Sequence, residues 1–181
     1  MTTVLGSYRT IPREDKTVTS QQRAYLAGFL DADGSMMIQL RPRKEMRFLF
    51  RPKTIVVFYQ NSKNHEILKD LQQIIQAGYV YKRNDCMSEL RVEGHQRVYE
   101  LLRKLYKYLR FKHKRADLML KALKILMKRR YSLDEFLTVC DLADQISNLN
   151  YTSRARKYTS KYVRQVLKNH SIIPVTTGVS A

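Results

Sequence analysis

Residues 26–35 read Leu-Ala-Gly-Phe-Leu-Asp-Ala-Asp-Gly-Ser, an apolar helical run closed by two acidic residues and a glycine. Upstream, Ser20 or Thr19 can cap the helix, and Thr19 with Gln22 has capping-box spacing. Helical periodicity gathers Ala24, Gly28 and Asp31 near one stripe and leaves Leu26, Phe29 and Leu30 for a core. Glycine costs a helix roughly 1 kcal/mol against alanine, so Gly28 suggests that another backbone approaches closely there. Asp33 ends the helix, where the dipole disfavours an anion. A carboxylate held against the dipole reads as a ligand for a cation.

The 34 Lys+Arg against 16 Asp+Glu give a formal charge of +18, which favours a polyanionic partner: DNA, RNA or an acidic membrane surface. No apolar run approaches the roughly 18 residues of a membrane span. Nor is there a strongly amphipathic basic helix, so a membrane role has little support. Residues 1–11 lack the order of a secretory signal. The chain is therefore expected inside the cell, in a prokaryotic cytoplasm or an organelle. Cys86 and Cys140 are isolated and His65, His95, His113 and His170 have no metal-ligand spacing, so a metal here should bind oxygen, as magnesium does.

Residues 1–18 read as an irregular arm, 19–170 as one domain and 171–181 as a frayed tail. After the first helix, Met36–Arg43 alternates as a half-buried strand whose second face carries Gln39, Arg41 and Arg43. Lys53–Gln60 is its β-rich partner, and the stretch with Pro42, Arg47, Arg51 and Pro52 forms the hairpin end. Ser62–Ile75 changes to helical period. The scheme then repeats with Tyr79–Arg83, Ser88–Val92 and a helix marked by Val98, Leu101, Leu102, Leu105 and Leu109. The order is αββαββα, an α+β fold, with extra C-terminal helices. These are apolar over Ala116–Met127, capped by Ser132 with Glu135, and short around Tyr162–Leu167. Two hairpins in one sheet turn a basic face outward: Gln39, Arg41, Arg43, Arg47 and Arg51 from the first, with Tyr81, Lys82, Arg83 and Arg91 from the second. Such a ribbon of about nine residues spans about 30 Å and fits a DNA major groove.

Residues 26–34 resemble the motif that names the LAGLIDADG homing endonucleases, and the element order from about Ser20 to Leu167 resembles their single-motif homodimeric group. Tyr79-Val80 and the run Lys112–Leu118 resemble that group's corresponding segments. The resemblance implies a saddle-shaped antiparallel sheet over the major groove and cleavage across the central minor groove. It implies motif helices of two subunits packed at the dimer axis, with Ala24, Gly28 and Asp31 at that interface. Asp33 is then a ligand of a divalent metal (Mg2+ or Mn2+), with the Ala32 carbonyl beside it. Gln60 would order water near that metal, and Lys112 would approach the reacting phosphate. Asn64 stands where related dimers often carry a second basic residue, with Lys63 adjacent. The loop bearing Arg154, Arg156 and Lys157 resembles a segment that touches the DNA backbone. No second motif copy is present, so two carboxylates require two chains.

The leading reading is a site-specific, magnesium-dependent double-strand DNA endonuclease acting as a homodimer on a long pseudo-palindromic target. With no splicing domain fitting into 181 residues, it is expected to be intron-encoded or free-standing. The alternatives are an intron RNA maturase and a non-cleaving DNA-binding protein on the same scaffold.

Overall fold

The structure, a computed structural model, describes residues 18–150 and 156–173. Most of the expected arm (1–17), Arg154 with residues 151–155, and positions 174–181 of the expected tail lie outside the described residues.

Helix α1 (Ser20–Asp33) starts on the expected capping box: Thr19 accepts from the Gln22 amide, and Gln22 accepts from the Thr19 amide. Leu26, Ala27 and Leu30 bury one side of it. Gly34 is needed at its end, because a Cβ there would lie 2.7 Å from the Leu30 carbonyl oxygen. The chain leaves at once into β1 (Gly34–Pro42), which pairs antiparallel with β2 (Phe50–Asn61). A short 3-10 turn (Ser62–Asn64) leads to α2 (His65–Ile75). Next come β3 (Tyr79–Lys82), β4 (Met87–Glu93) and α3 (His95–Leu105). Gly78, at φ +90°, passes so close to β4 that a Cβ would lie 2.6 Å from the Arg91 carbonyl. Three more helices follow: α4 (His113–Leu126), α5 (Leu133–Asn148) and α6 (Ser160–Asn169). Ser132 and Glu135 form the capping box of α5 as expected.

The four strands form one antiparallel sheet in the order β1-β2-β4-β3. Met36, Ile38 and Leu40 face Val56, Thr54 and Pro52 across the first pair, and all six are buried against the helices with Phe58, Leu90 and Val92. Helices α4 and α5 extend that core through Met119, Leu123, Phe136 and Val139.

Two expectations need correction. The second strand begins at Phe50 rather than Lys53, with Pro52 inside it. β4 stops at Glu93, opposite Ile55, so the Pro52 segment is paired only with β1 and its missing N–H disrupts no second ladder. In β3, Tyr79 and Tyr81 oppose Arg91 and Glu89, whereas Lys82 opposes the buried Ser88. Lys82 therefore belongs to the helix-covered side and not, as expected, to the outward one.

Candidate functional site

Asp33 lies exposed at the last position of α1 and makes no ion pair or side-chain hydrogen bond among the described residues. Ala32, beside it, is also exposed. Around them the chain places Lys112, at the N-terminus of α4, by means of Asp31. The Asp31 carboxylate accepts backbone N–H groups from Arg110 (2.6 Å), Phe111 (3.3 Å) and Lys112 (2.9 Å). The Lys112 ammonium donates to the carbonyls of Asp31 and, at 3.3 Å, of Ala32. Burial, then the Arg115 guanidinium, pushes the Lys112 pKa below the ordinary lysine value, while Asp31 and Asp33 pull it back up. Asp31, expected on the interface stripe of α1, instead spends its carboxylate within the chain: it clamps the α4 loop onto the end of α1.

Gln60 follows from register. Gly34 pairs with Phe58, so two further residues along β2 bring Gln60 level with the end of α1, on the face where Phe58 meets that helix. Its Oε1 accepts from the Asn61 amide at 2.8 Å. Asn64 is exposed at the N-cap of α2 and makes no cap bond. The turn between them is fixed from below, where Ser88 Oγ lies 2.9 Å from Ser62 Oγ and 3.0 Å from His65 Nδ1. A cavity of about 580 Å³ opens beside Lys112 and runs past Gln39 and Tyr59 to Arg115, Asn150 and Arg156.

The donors here are a carboxylate and a main-chain carbonyl, hard oxygen ligands that suit magnesium or calcium rather than a thiolate metal. Among the described residues there is no group of three or more His, Cys, Asp or Glu able to hold a metal ion. The rest of α1 leaves a stripe of small residues open. Ala24, Gly28 and Ala32 are exposed at spacing of four, and a Cβ on Gly28 would meet nothing within 4 Å. Tyr25, at 49% exposed, and Phe111, at 88%, lie at the two ends of this stripe, and neither stood out in the sequence.

Across the sheet, register puts Gln39, Arg41, Arg51, Tyr81 and Arg91 on the one face turned away from the helices. Arg43 and Arg47 are exposed in the β1–β2 connection, and Arg83 follows β3. Two carboxylates that sequence reasoning passed over organise this face. Glu89, almost fully buried, accepts from Tyr81 at 2.5 Å and Arg83 at 2.7 Å. Glu93 accepts from Arg91 at 2.5 Å and pairs with Lys53 at 2.7 Å. Strand alternation could have revealed them, since both share the parity of Arg91.

Arg156 departs from its expected role. Its guanidinium reaches Asp144 at 2.8 Å, the Ala143 carbonyl at 2.9 Å and the Ile38 carbonyl at 3.4 Å. These bonds tie the segment leading into α6 to α5 and β1, leaving Arg156 little freedom to meet a phosphate. Lys157, next to it, is exposed.

Comparison with known proteins gives a consistent result. The family described as LAGLIDADG endonuclease matches residues 26–126. DNA endonuclease I-CreI of Chlamydomonas reinhardtii is 35% identical over 147 residues, 81% of this chain and 89% of that protein. DNA endonuclease I-CvuI of Chlorella vulgaris is 34% identical over 80% of this chain and 89% of its own. A crystal structure of I-CvuI with DNA and 2 mM Mg superposes with a TM-score of 0.79 at 32% identity, covering 85% of this chain and 97% of that one. The archaeal intron-encoded endonuclease I-Vdi141I, bound to DNA, has a TM-score of 0.74 over 84% of this chain and 98% of its own; at 15% identity it shows the shared fold.

Proposed function

Because this chain belongs to the LAGLIDADG endonuclease family, we propose that it cleaves both strands of a long pseudo-palindromic DNA site as a homodimer that uses a divalent metal. The observation that carries this is the end of α1: an exposed carboxylate with no partner among the described residues, beside a clamped lysine, on a helix whose small-residue stripe lies open. Two copies packed along that stripe bring two Asp33 carboxylates together.

Asp33 and the Ala32 carbonyl would hold the ion in each copy, magnesium being the expected one. A bound divalent cation supplies charge neutralisation at the scissile phosphate and eases deprotonation of the attacking water. Lys112 brings a fixed positive group to the same place, where negative charge grows during phosphoryl transfer. Gln60 holds solvent in line from the strand end, and Asn64 reaches that solvent pocket without a charge of its own. The outward sheet face reads the half-site. Bases are met by Gln39, Arg41, Arg51, Tyr81, Arg83 and Arg91, with Arg43 and Arg47 at the hairpin and Lys157 on the backbone.

The test is cleavage of a randomised DNA library by purified protein in magnesium and in calcium, with D33N as control. Magnesium-dependent double-strand breaks at one enriched, roughly palindromic sequence, absent in D33N, are expected. Selective binding with no break in either metal would make the protein a DNA-binding regulator instead.

A further inference from the structure

At the end of the sheet far from Asp33, β2 outruns β4. β4 ends at Glu93 opposite Ile55, the chain turns at Gly94 (φ +98°), and α3 begins, leaving Phe50–Lys53 without a strand neighbour on that side. A notch of about 800 Å³ opens there. Five cations line it: Arg41, Arg43, Arg51, Lys53 and Arg97. Their charge is poorly matched. Lys53 is paired with Glu93, and Arg43 stands 3.6 Å from Glu45 with both side chains largely exposed. Arg41 donates to the neutral Gln39 amide at 2.8 Å. Arg51 and Arg97 make no ion pair among the described residues, and both are exposed.

The notch is also stiff. Thr54 Oγ1 lies 3.0 Å from His95 Nδ1, and the Gly94 amide donates to the Thr54 carbonyl at 3.3 Å, so the start of α3 is fixed to β2. Burial, and then Arg51, lowers the His95 pKa below the ordinary histidine value. Pro52 on the open edge offers no N–H to an incoming strand, which disfavours sheet extension as the use of this edge.

We propose that this notch, with Arg97 as its clamp, holds a backbone phosphate of the duplex at the outer end of each half-site. The proposal rests on the DNA-binding reading above and deepens it. Arg41 and Arg51 belong at once to the outward sheet face and to the notch, so the two surfaces are continuous. Arg41 is seven residues along β1 from Gly34, about 23 Å at 3.3 Å per residue, or about seven base pairs from the centre. Arg97 therefore acts outside the base-reading set: it fixes the end of the duplex and sets how much flanking DNA the protein needs. A guanidinium can grip a phosphate through two parallel hydrogen bonds.

The experiment uses the duplex selected by wild-type protein and measures its affinity in calcium, with single neutral methylphosphonates scanned along the outer backbone. R97Q is expected to weaken the unmodified duplex about tenfold and to flatten the salt dependence by about one unit. One outer methylphosphonate should weaken wild type similarly but leave R97Q little affected. R97K should recover part of the loss, and K69Q, removing a charge on α2, should lose less than twofold. If wild type binds but no outer phosphate is coupled to Arg97, the notch does not hold the backbone. If wild type binds no duplex at all, the reading beneath the proposal fails, and the proposal with it.

Discussion

Replacing Asp31 with asparagine separates the clamp from the chemistry. Its carboxylate receives three backbone N–H groups of the segment that delivers Lys112. The amides of Arg110 and Phe111 belong to exposed residues and regain water when the charge is lost. The Lys112 amide belongs to a buried residue, and weakening its partner costs about 1–3 kcal/mol. Asparagine keeps one acceptor, so D31N should lose about 2 kcal/mol, a fall in Tm of about 4–8 °C for a chain of this size. Lys112 then samples positions away from the Ala32 carbonyl, and single-turnover cleavage should fall at least tenfold, about 1.4 kcal/mol of barrier. The two effects are linked by a double-mutant cycle. In a K112M background, D31N should slow cleavage by less than about twofold further, because the group it positions is gone. Fully additive losses, or an unchanged rate in D31N alone, would refute the clamp.

Other substitutions test other parts of the account. G28L should leave the monomer folded, since nothing lies within 4 Å of the new Cβ, yet sedimentation should show self-association weakened by at least tenfold. Loss of cleavage by N64A should be smaller than by D33N in a single-turnover assay, because the role proposed for Asn64 runs only through solvent; equal losses reject that ordering. R156A should cost about 2–3 kcal/mol of stability in denaturant unfolding, because Asp144 and two carbonyls lose a charged donor. K157A, by contrast, should leave stability alone and flatten the salt dependence of DNA binding by about one unit. Burial, then Asp141 and Asp144, pushes the Cys140 thiol from 9.0 up to about 12, so it stays protonated in the fold. Its contribution to stability is complete below about pH 9 and declines as pH rises toward about 12; alkylation of native protein at pH 8 should modify the exposed Cys86 and spare Cys140.

Much of the fold was legible because it is written in short-range signals. Capping boxes at Thr19 and Ser132, a helical period ending near Ile75, and alternation over Met36–Leu40 are properties of neighbouring residues, whereas the helix expected to reach Leu109 ends at Leu105. The start of β2 was not legible, because Pro52 is tolerated only through the early end of β4, a fact of sheet register. Register also reversed Lys82 and drew Glu89 and Glu93 into the basic face. Within the site, Asp33 stood out by its own position against the helix dipole, whereas Gln60 and Lys112 were singled out only by resemblance to a family. The role of Asp31 depends on groups 79–81 residues away, and that of Arg156 on groups 12, 13 and 118 residues away, where no local pattern reaches. An arginine in a basic run resembles a phosphate ligand until its carbonyl partners are seen.

The central claim is that each chain supplies one Asp33 to a shared site. Wild-type and D33N chains refolded together in varying ratio, then assayed for double-strand breaks in a target plasmid, test it most directly. Random pairing predicts that the rate falls as the square of the wild-type fraction, because only a dimer with both carboxylates cuts both strands. A rate that falls in simple proportion, or a D33N protein that still breaks the plasmid, would contradict the account.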